Sequence, residues 1–270
     1  SFMKNVILKN SVIILVSKVI GFGAYYLTIP LLIELLDLEL YGFWLTVSSL
    51  MSWILVFDFG IGHTLKNSIV KCLSSNDIIE LRLLISTTYF VVILLSLLIV
   101  TLLSSIILIN SYFILLKVPS ILNDKLSLIL ILLVSCSGFT IILKLITSIL
   151  SGYQKTGFAE SANSLVILII YISIYYLSQF KLSIYDLMLF IVFIYSFVPI
   201  IVYWIVSIYF FRFKANSVSP SYHFVDFSKF GTILKESSSF FMIQLSGLVI
   251  YSTDSFLISY LFDNTKVTIY

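Results

Sequence analysis

Residues 89–108 run for twenty positions without one charged side chain, and comparable stretches recur along the chain. A helix needs about 20 apolar residues to cross a hydrocarbon core about 30 Å thick, since each residue rises about 1.5 Å. A membrane barrel would instead show alternating segments of about ten residues. Composition agrees: 60% of the 270 residues are hydrophobic and 11% are charged, against about 45–50% and about 25% in soluble domains. A water-facing surface cannot be built with so little charge. The expected fold class is an all-α polytopic membrane protein, because helices satisfy their own backbone in lipid.

Seven segments have spanning length: 10–33, 41–65, 83–108, 126–150, 159–177, 185–211 and 240–262. The first follows Lys4 and Lys9 but is too long for a signal peptide, so it is read as a retained span. Lysine and arginine favour the cytoplasmic side. With the N-terminus inside, the inner segments carry Lys4, Lys9, Lys66, Lys71, Arg82, Lys155, Arg212, Lys214, Lys229 and Lys235. The outer ones carry Lys117, Lys125, Lys181 and Lys266. The longest loop, 212–239, places Phe224, Phe227, Phe230, Ile233 and Leu234 at helical spacing between charges. An amphipathic helix lying in the interface is expected there, dividing a six-helix unit, 1–211, from the seventh span. Pro30 and Pro199 are expected to kink their spans. Residues 265–270 read as the beginning of another span, so the chain is expected to be an N-terminal fragment.

Ionisable residues inside spans are costly and face protein or a wet cavity. On a regular helix Lys18 lies about 12 Å, Asp58 about 10 Å and Lys144 about 9 Å from the cytoplasmic ends of their spans, which places them in one layer. On the first span Ser11, Ile14, Lys18, Gly21, Tyr25 and Thr28 share one face, expected to point inward. Lys18 and Lys144 would then offer positive charge to an anion, with Asp58 as counterion. A diphosphate head group fits such a layer. The bland alternatives are snorkelling for each lysine and an ion pair with Lys18 or Lys66 for Asp58. Glu160 is read as a helix N-terminal carboxylate. Asp254, about 21 Å along the last span and flanked by Ser252, Thr253 and Ser255, is a candidate for gating or ion coupling, with Gln244 on the same helix. Tyr171, Tyr175, Tyr195 and Tyr203 either pack or line a path for sugar rings.

Cys72 and Cys136 read as ordinary thiols, and neither His63 nor His223 has metal-ligand spacing. No phosphate-binding glycine loop is present. No enzyme activity, cofactor, metal or nucleic-acid partner is expected.

The segment 40–68, LYGFWLTVSSLMSWILVFDFGIGHTLKNS, resembles the second-helix region of Wzx-type oligosaccharide flippases of the multidrug/oligosaccharidyl-lipid/polysaccharide exporter superfamily. Tyr41-Gly42-Phe43-Trp44, Asp58-Phe59-Gly60-Ile61-Gly62 and Lys66-Asn67 carry the likeness; His63 stands where a small polar residue is usual. Residues 241–257, FMIQLSGLVIYSTDSFL, resemble the start of that family's second lobe. The resemblance implies two six-helix lobes working by alternating access, the second represented here by its first helix alone, 240–270. It implies an undecaprenyl-diphosphate-linked oligosaccharide, such as an O-antigen repeat unit, as cargo in a bacterial inner membrane. Lys18, Lys144 and Tyr25 are then the expected substrate contacts, and Asp58, Asp254 and Gln244 the gating or coupling residues. Membrane lipids, a proton or sodium gradient and polysaccharide-assembly proteins are the expected partners. A cation-coupled drug exporter, a polysaccharide polymerase or ligase and a membrane scaffold are the competing readings.

Overall fold

The structure, a computed structural model, describes residues 2–56, 58–109, 126–261 and 267, with side chains from residue 8 apart from those of 251, 252, 255 and 256. Among the described residues the regular elements are all helical. Six stretches are long and apolar enough to cross a membrane. The protein is an all-α, multi-pass membrane protein. Lys117, Lys125 and Lys266 lie outside the described residues.

Helix α1 spans Phe2–Val56 but is interrupted at Asp37, whose φ of 61° and ψ of 176° are not helical. The chain doubles back there. In one straight helix Tyr25 and Ser52 would lie about 40 Å apart, yet both line one cavity of about 320 Å³. The two arms are α1a, 2–36, and α1b, 38–56. Asp37 makes the reversal, because its Oδ1 accepts from the backbone N–H of Glu39 at 3.0 Å and of Leu40 at 3.1 Å and so caps the second arm. The remaining helices are α2 (Ile61–Ser74), α3 (Ile78–Leu108), α4 (Leu126–Gly152), α5 (Thr156–Leu177), α6 (Ile184–Phe213) and α7 (Phe230–Leu261).

Small side chains let these helices approach closely, which is how helices pack where lipid removes the hydrophobic drive. The Ser17 and Ser161 hydroxyls pair at 3.0 Å between α1a and α5. A Cβ at Gly21 would lie 3.1 Å from Ser164 Oγ, and one at Gly62 2.7 Å from Ser148 Oγ on α4. The packed face of α1a therefore carries Ser17, Gly21, Ala24 and Thr28, all buried, while Ser11, Lys18 and Tyr25 are exposed. The stripe expected from spacing is rotated by one residue: the side that packs is the one with the smallest side chains, whatever their polarity.

The expected second span, 41–65, is not one helix. α1b ends at Val56, and Phe59 (φ 52°) and Gly60 (φ 72°) turn the chain before α2 begins. The cause is a neighbour. A Cβ at Gly60 would lie 2.7 Å from the Phe241 nitrogen, the Ser237 oxygen and Phe240 Cβ, so the α7 backbone occupies the space beside the turn. Only glycine admits both that approach and the left-handed backbone without strain.

The segment 212–239 also departs from expectation. Three 3₁₀ turns, Asn216–Val218, Tyr222–Phe224 and Phe227–Lys229, form a strap, and α7 then runs from Phe230 through the stretch expected to be a separate interfacial helix. That stretch has a protein surface to cover. Ile233 and Ser237 are buried, and Ser237 Oγ pairs with Thr64 Oγ1 of α2 at 2.9 Å. The strap is tied to α3. Arg82 Nε donates to the Ser219 carbonyl at 3.3 Å, and its guanidinium lies 4.0 Å above the Phe224 ring. The Ser221 N–H donates to Ser86 Oγ at 3.1 Å and the Asp226 N–H to Thr87 Oγ1 at 3.0 Å, while Lys229 pairs with Glu80. The Asn10 amide donates to the Gln154 carbonyl at 2.9 Å, and the Lys155 ammonium lies 5.3 Å from the Phe210 ring. The start of α1a, the α2–α3 and α4–α5 turns and the strap thus gather at one basic end. Helices α1a and α6 run through Pro30 and Pro199 with no non-helical residue at either.

Candidate functional site

Where α1b breaks, a cavity of about 460 Å³ opens between α1b, α2, α4, α5 and α7. Asp58 enters it from the turn, Lys66 and His63 from α2, Lys144 from α4, Glu160 and Asn163 from α5, and Gln244 from α7. The helix contacts set the heights. α2 and α4 run side by side, with Gly62 against Ser148 and Gly152 against Ile69 and the Lys66 carbonyl. Lys144 precedes Gly152 by two turns, so it sits about 12 Å farther from the basic end than Lys66. The two lysines form a ladder: Lys66 near the basic end and Lys144 deeper, at the level of Asp58.

Asp58 has a structural role beside its place in the wall. Its Oδ1 accepts from the Gly60 N–H at 3.0 Å, which holds the turn that ends α1b. The alternative reading of Asp58, an ion pair with Lys18 or Lys66, is not formed among the described residues. Glu160 is not a helix cap. α5 begins at Thr156 and has no acidic residue in its first turn, so Glu160 lies a turn inside the helix and faces the cavity. Asn163 is oriented by α6: the Tyr203 hydroxyl donates to Asn163 Oδ1 at 2.9 Å, which leaves the amide N–H groups of Asn163 as donors. The Gln244 Oε1 is buried without a hydrogen-bond partner. His63 stacks on Phe240 with ring centroids 5.5 Å apart.

Lys66, Lys144, Asp58 and Glu160 form no salt bridge with one another among the described residues. Two cations and two carboxylates held apart in a membrane-embedded bundle are tolerable only where water or a ligand reaches them. The arrangement offers ammonium and amide donors to an anion along one wall and carboxylate acceptors nearby. Among the described residues no group of His, Cys, Asp and Glu is placed to hold a metal ion.

Of the expected site residues, the structure brings Asp58, Lys144 and Gln244 together in this cavity. Lys18 shares the height of Lys144, since it stands two turns above Asn10 as Lys144 stands two turns above Gly152. It is exposed and does not line the cavity, because Ser17 and Gly21 take the packed face. Tyr25 lines the second cavity, between α1a, α1b and α6, with Tyr41, Trp44 and Tyr195. Asp254 lines neither cavity; it is exposed on α7, about 15 Å along the helix from Gln244. Tyr171 and Tyr175 contact each other on α5, at 6.4 Å between ring centroids, and line neither. Sequence spacing passed over Lys66 and Asn163. Lys66 reads as an ordinary loop-side cation, and nothing in the sequence around Asn163 distinguishes it from a surface amide.

No family model, no curated protein and no solved structure matches the chain. Function is therefore read from the cavity.

Proposed function

We propose that the protein carries a lipid-linked anionic saccharide, of the undecaprenyl-diphosphate oligosaccharide type, across a bacterial inner membrane by alternating access, without a covalent step. The observation that carries this reading is the ladder of Lys66 and Lys144 in one cavity of a membrane-embedded bundle. Two ammonium groups at successive depths suit a diphosphate drawn in from the basic end, because charge-assisted bonds to phosphate oxygens are the strong ones. The two segments that resemble the flippase family also meet here. Phe59 packs on Phe241 with centroids 4.9 Å apart, and Gly60 lies against the α7 backbone. In this reading the second cation is Lys66, about 12 Å nearer the basic end than Lys144, where spacing had expected Lys18 in one layer with Lys144.

The test is surface polysaccharide output from cells that depend on this protein, with its amount in the membrane measured in parallel. The double variant Lys66→Ala/Lys144→Ala is expected to lower export by about tenfold or more, since each charged hydrogen bond contributes about 1.5–3 kcal/mol. Lys18→Ala is expected to leave it within about twofold. Normal export in the double variant rejects the head-group role.

Asp58 and Glu160 in the same cavity favour a second reading, a cation-coupled exporter of small molecules. Under that reading Asp58→Asn/Glu160→Gln abolishes gradient-driven drug efflux and leaves surface polysaccharide unchanged.

A further inference from the structure

Among the described residues the second cavity has no charged residue in its wall, so neither a diphosphate nor a cation explains it. We infer that this cavity, held between the two arms of α1 and α6, is a binding site for a neutral sugar ring. Its volume, about 320 Å³, is at the lower end of the about 300–1,000 Å³ typical of small-molecule sites.

Its chemistry is divided as a carbohydrate's is. Tyr25, Tyr41 and Tyr195 all line this cavity. None of the three makes a hydrogen bond to another described residue. The serine hydroxyls opposite are engaged the other way. Ser48 and Ser49 each donate to the Leu45 carbonyl at 2.9 Å, and Ser52 donates to the Ser48 carbonyl at 3.1 Å. Their hydrogens are used within α1b, so they present lone pairs, while the phenols can donate. A polyol needs both kinds of partner. The apolar part of the wall is rigid. Trp44 is 2% exposed and lies edge-to-face with Tyr195, centroids 4.8 Å apart, so it backs the partly exposed Tyr195 ring, which with the exposed Tyr25 ring is the aromatic surface open to the C–H face of a sugar. An aromatic cage for a quaternary ammonium would look similar in its rings, but it gains from a carboxylate, and the described residues of this wall include none.

Ser52 borders both cavities. A saccharide whose head group sits at Lys144 therefore extends its first sugar toward Tyr195. That placement, though not the sugar chemistry of the pocket, rests on the function proposed above.

Tryptophan emission of the full chain in nanodiscs free of sugar detergents tests this, in a Trp53→Phe/Trp204→Phe background so that Trp44 reports. The probes are methyl glycosides of glucose, galactose and N-acetylglucosamine, then sodium pyrophosphate, then tetramethylammonium. A saturable response to at least one glycoside is expected, with affinity falling about tenfold in Tyr25→Phe/Tyr195→Phe, about one hydrogen bond's worth per phenol. Pyrophosphate affinity should stay within about twofold in that variant. If the pair of changes unfolds the protein, Tyr25→Phe alone, at an exposed ring, carries the test with about a threefold loss. No response to any glycoside, an unchanged affinity in the variants, or a response to tetramethylammonium alone overturns the assignment. A glycoside response without pyrophosphate binding upholds the sugar site while removing the head-group ladder; pyrophosphate binding without a glycoside response does the reverse.

Discussion

The two cavities meet at Ser52 and are built by opposite means. The inner one exists because a helix is interrupted: Asp58 turns the chain, Gly60 takes the left-handed backbone, and α7 leans into the gap. The break opens space for charge, and Lys66, Lys144 and Glu160 fill its wall from three other turns of helix. The outer cavity lies between the two arms of α1 that Asp37 folds back on each other, and it is held by packing, with Phe43 and Trp44 buried at 1% and 2% exposure. One region gathers charged side chains around a turn that ends a helix; the other gathers aromatic rings and hydroxyls between two packed arms.

The largest expected effect would break the outer half. Trp44→Ala removes a fully buried aromatic and should destabilise the protein by about 3–5 kcal/mol, seen as a lower unfolding midpoint in detergent. A midpoint within a degree or two of the parent would mean that the pocket wall is not core. Gly60→Ala addresses the inner half. It combines left-handed strain with a methyl against the α7 backbone, and about 3 kcal/mol of destabilisation is expected. Gly23→Ala, where an added Cβ has nothing within 4 Å, is the control and should change little. Equal midpoints for the two alanine variants would show that α7 does not seat on the turn.

Ser237→Ala is a finer probe of the same seam. It strands the Thr64 hydroxyl in a buried contact and should cost about 1–2 kcal/mol, with Ser237→Ala/Thr64→Val recovering part of the loss. A double variant no more stable than the single one argues against the pair. The smallest effect lies on the strap that delivers α7. The Asp226 carboxylate is held below its ordinary range of 3.8, chiefly because it accepts from the Ser228 hydroxyl, then from the Ser228 N–H, with Lys229 adding attraction. A lowered folded-state value means the contribution is present above the unfolded value and fades as pH falls below 3.8 toward the native one. Protection of the Ser228 amide, its exchange rate relative to the intrinsic rate at each pH, should therefore fall over that acid window, and Asp226→Asn should remove that fall. A protection that does not change with pH in the parent would discard the cap.

Much of the fold could be read from the linear chain. The apolar runs at 83–108, 126–150, 159–177 and 185–211 became α3 to α6 with shifts of a few residues at their ends. Less of the site was legible. Asp58 and Lys144, which line the cavity, stood out because an ionisable residue in an apolar run announces itself, and Gln244 because it shares a span with Asp254. Lys18 sits on the exposed side of α1a rather than in the cavity wall, and Glu160 was misread as a cap because apolar spacing hid the first turn of α5. Asn163 gave no signal, since only the Tyr203 hydroxyl of another helix makes it a donor.

Hydropathy and helix rise are local properties, so the linear pattern dictates that these residues cross a bilayer as helices and how deep each buried charge lies along its own axis. The azimuth of each helix, the break at Gly60 and the continuity of α7 with the stretch before it were set by tertiary packing. Each depends on where a neighbouring helix sits: Ser161 and Ser164 choose the packed face of α1a, and the α7 backbone at Ser237 to Phe241 closes the path that α1b would otherwise have taken.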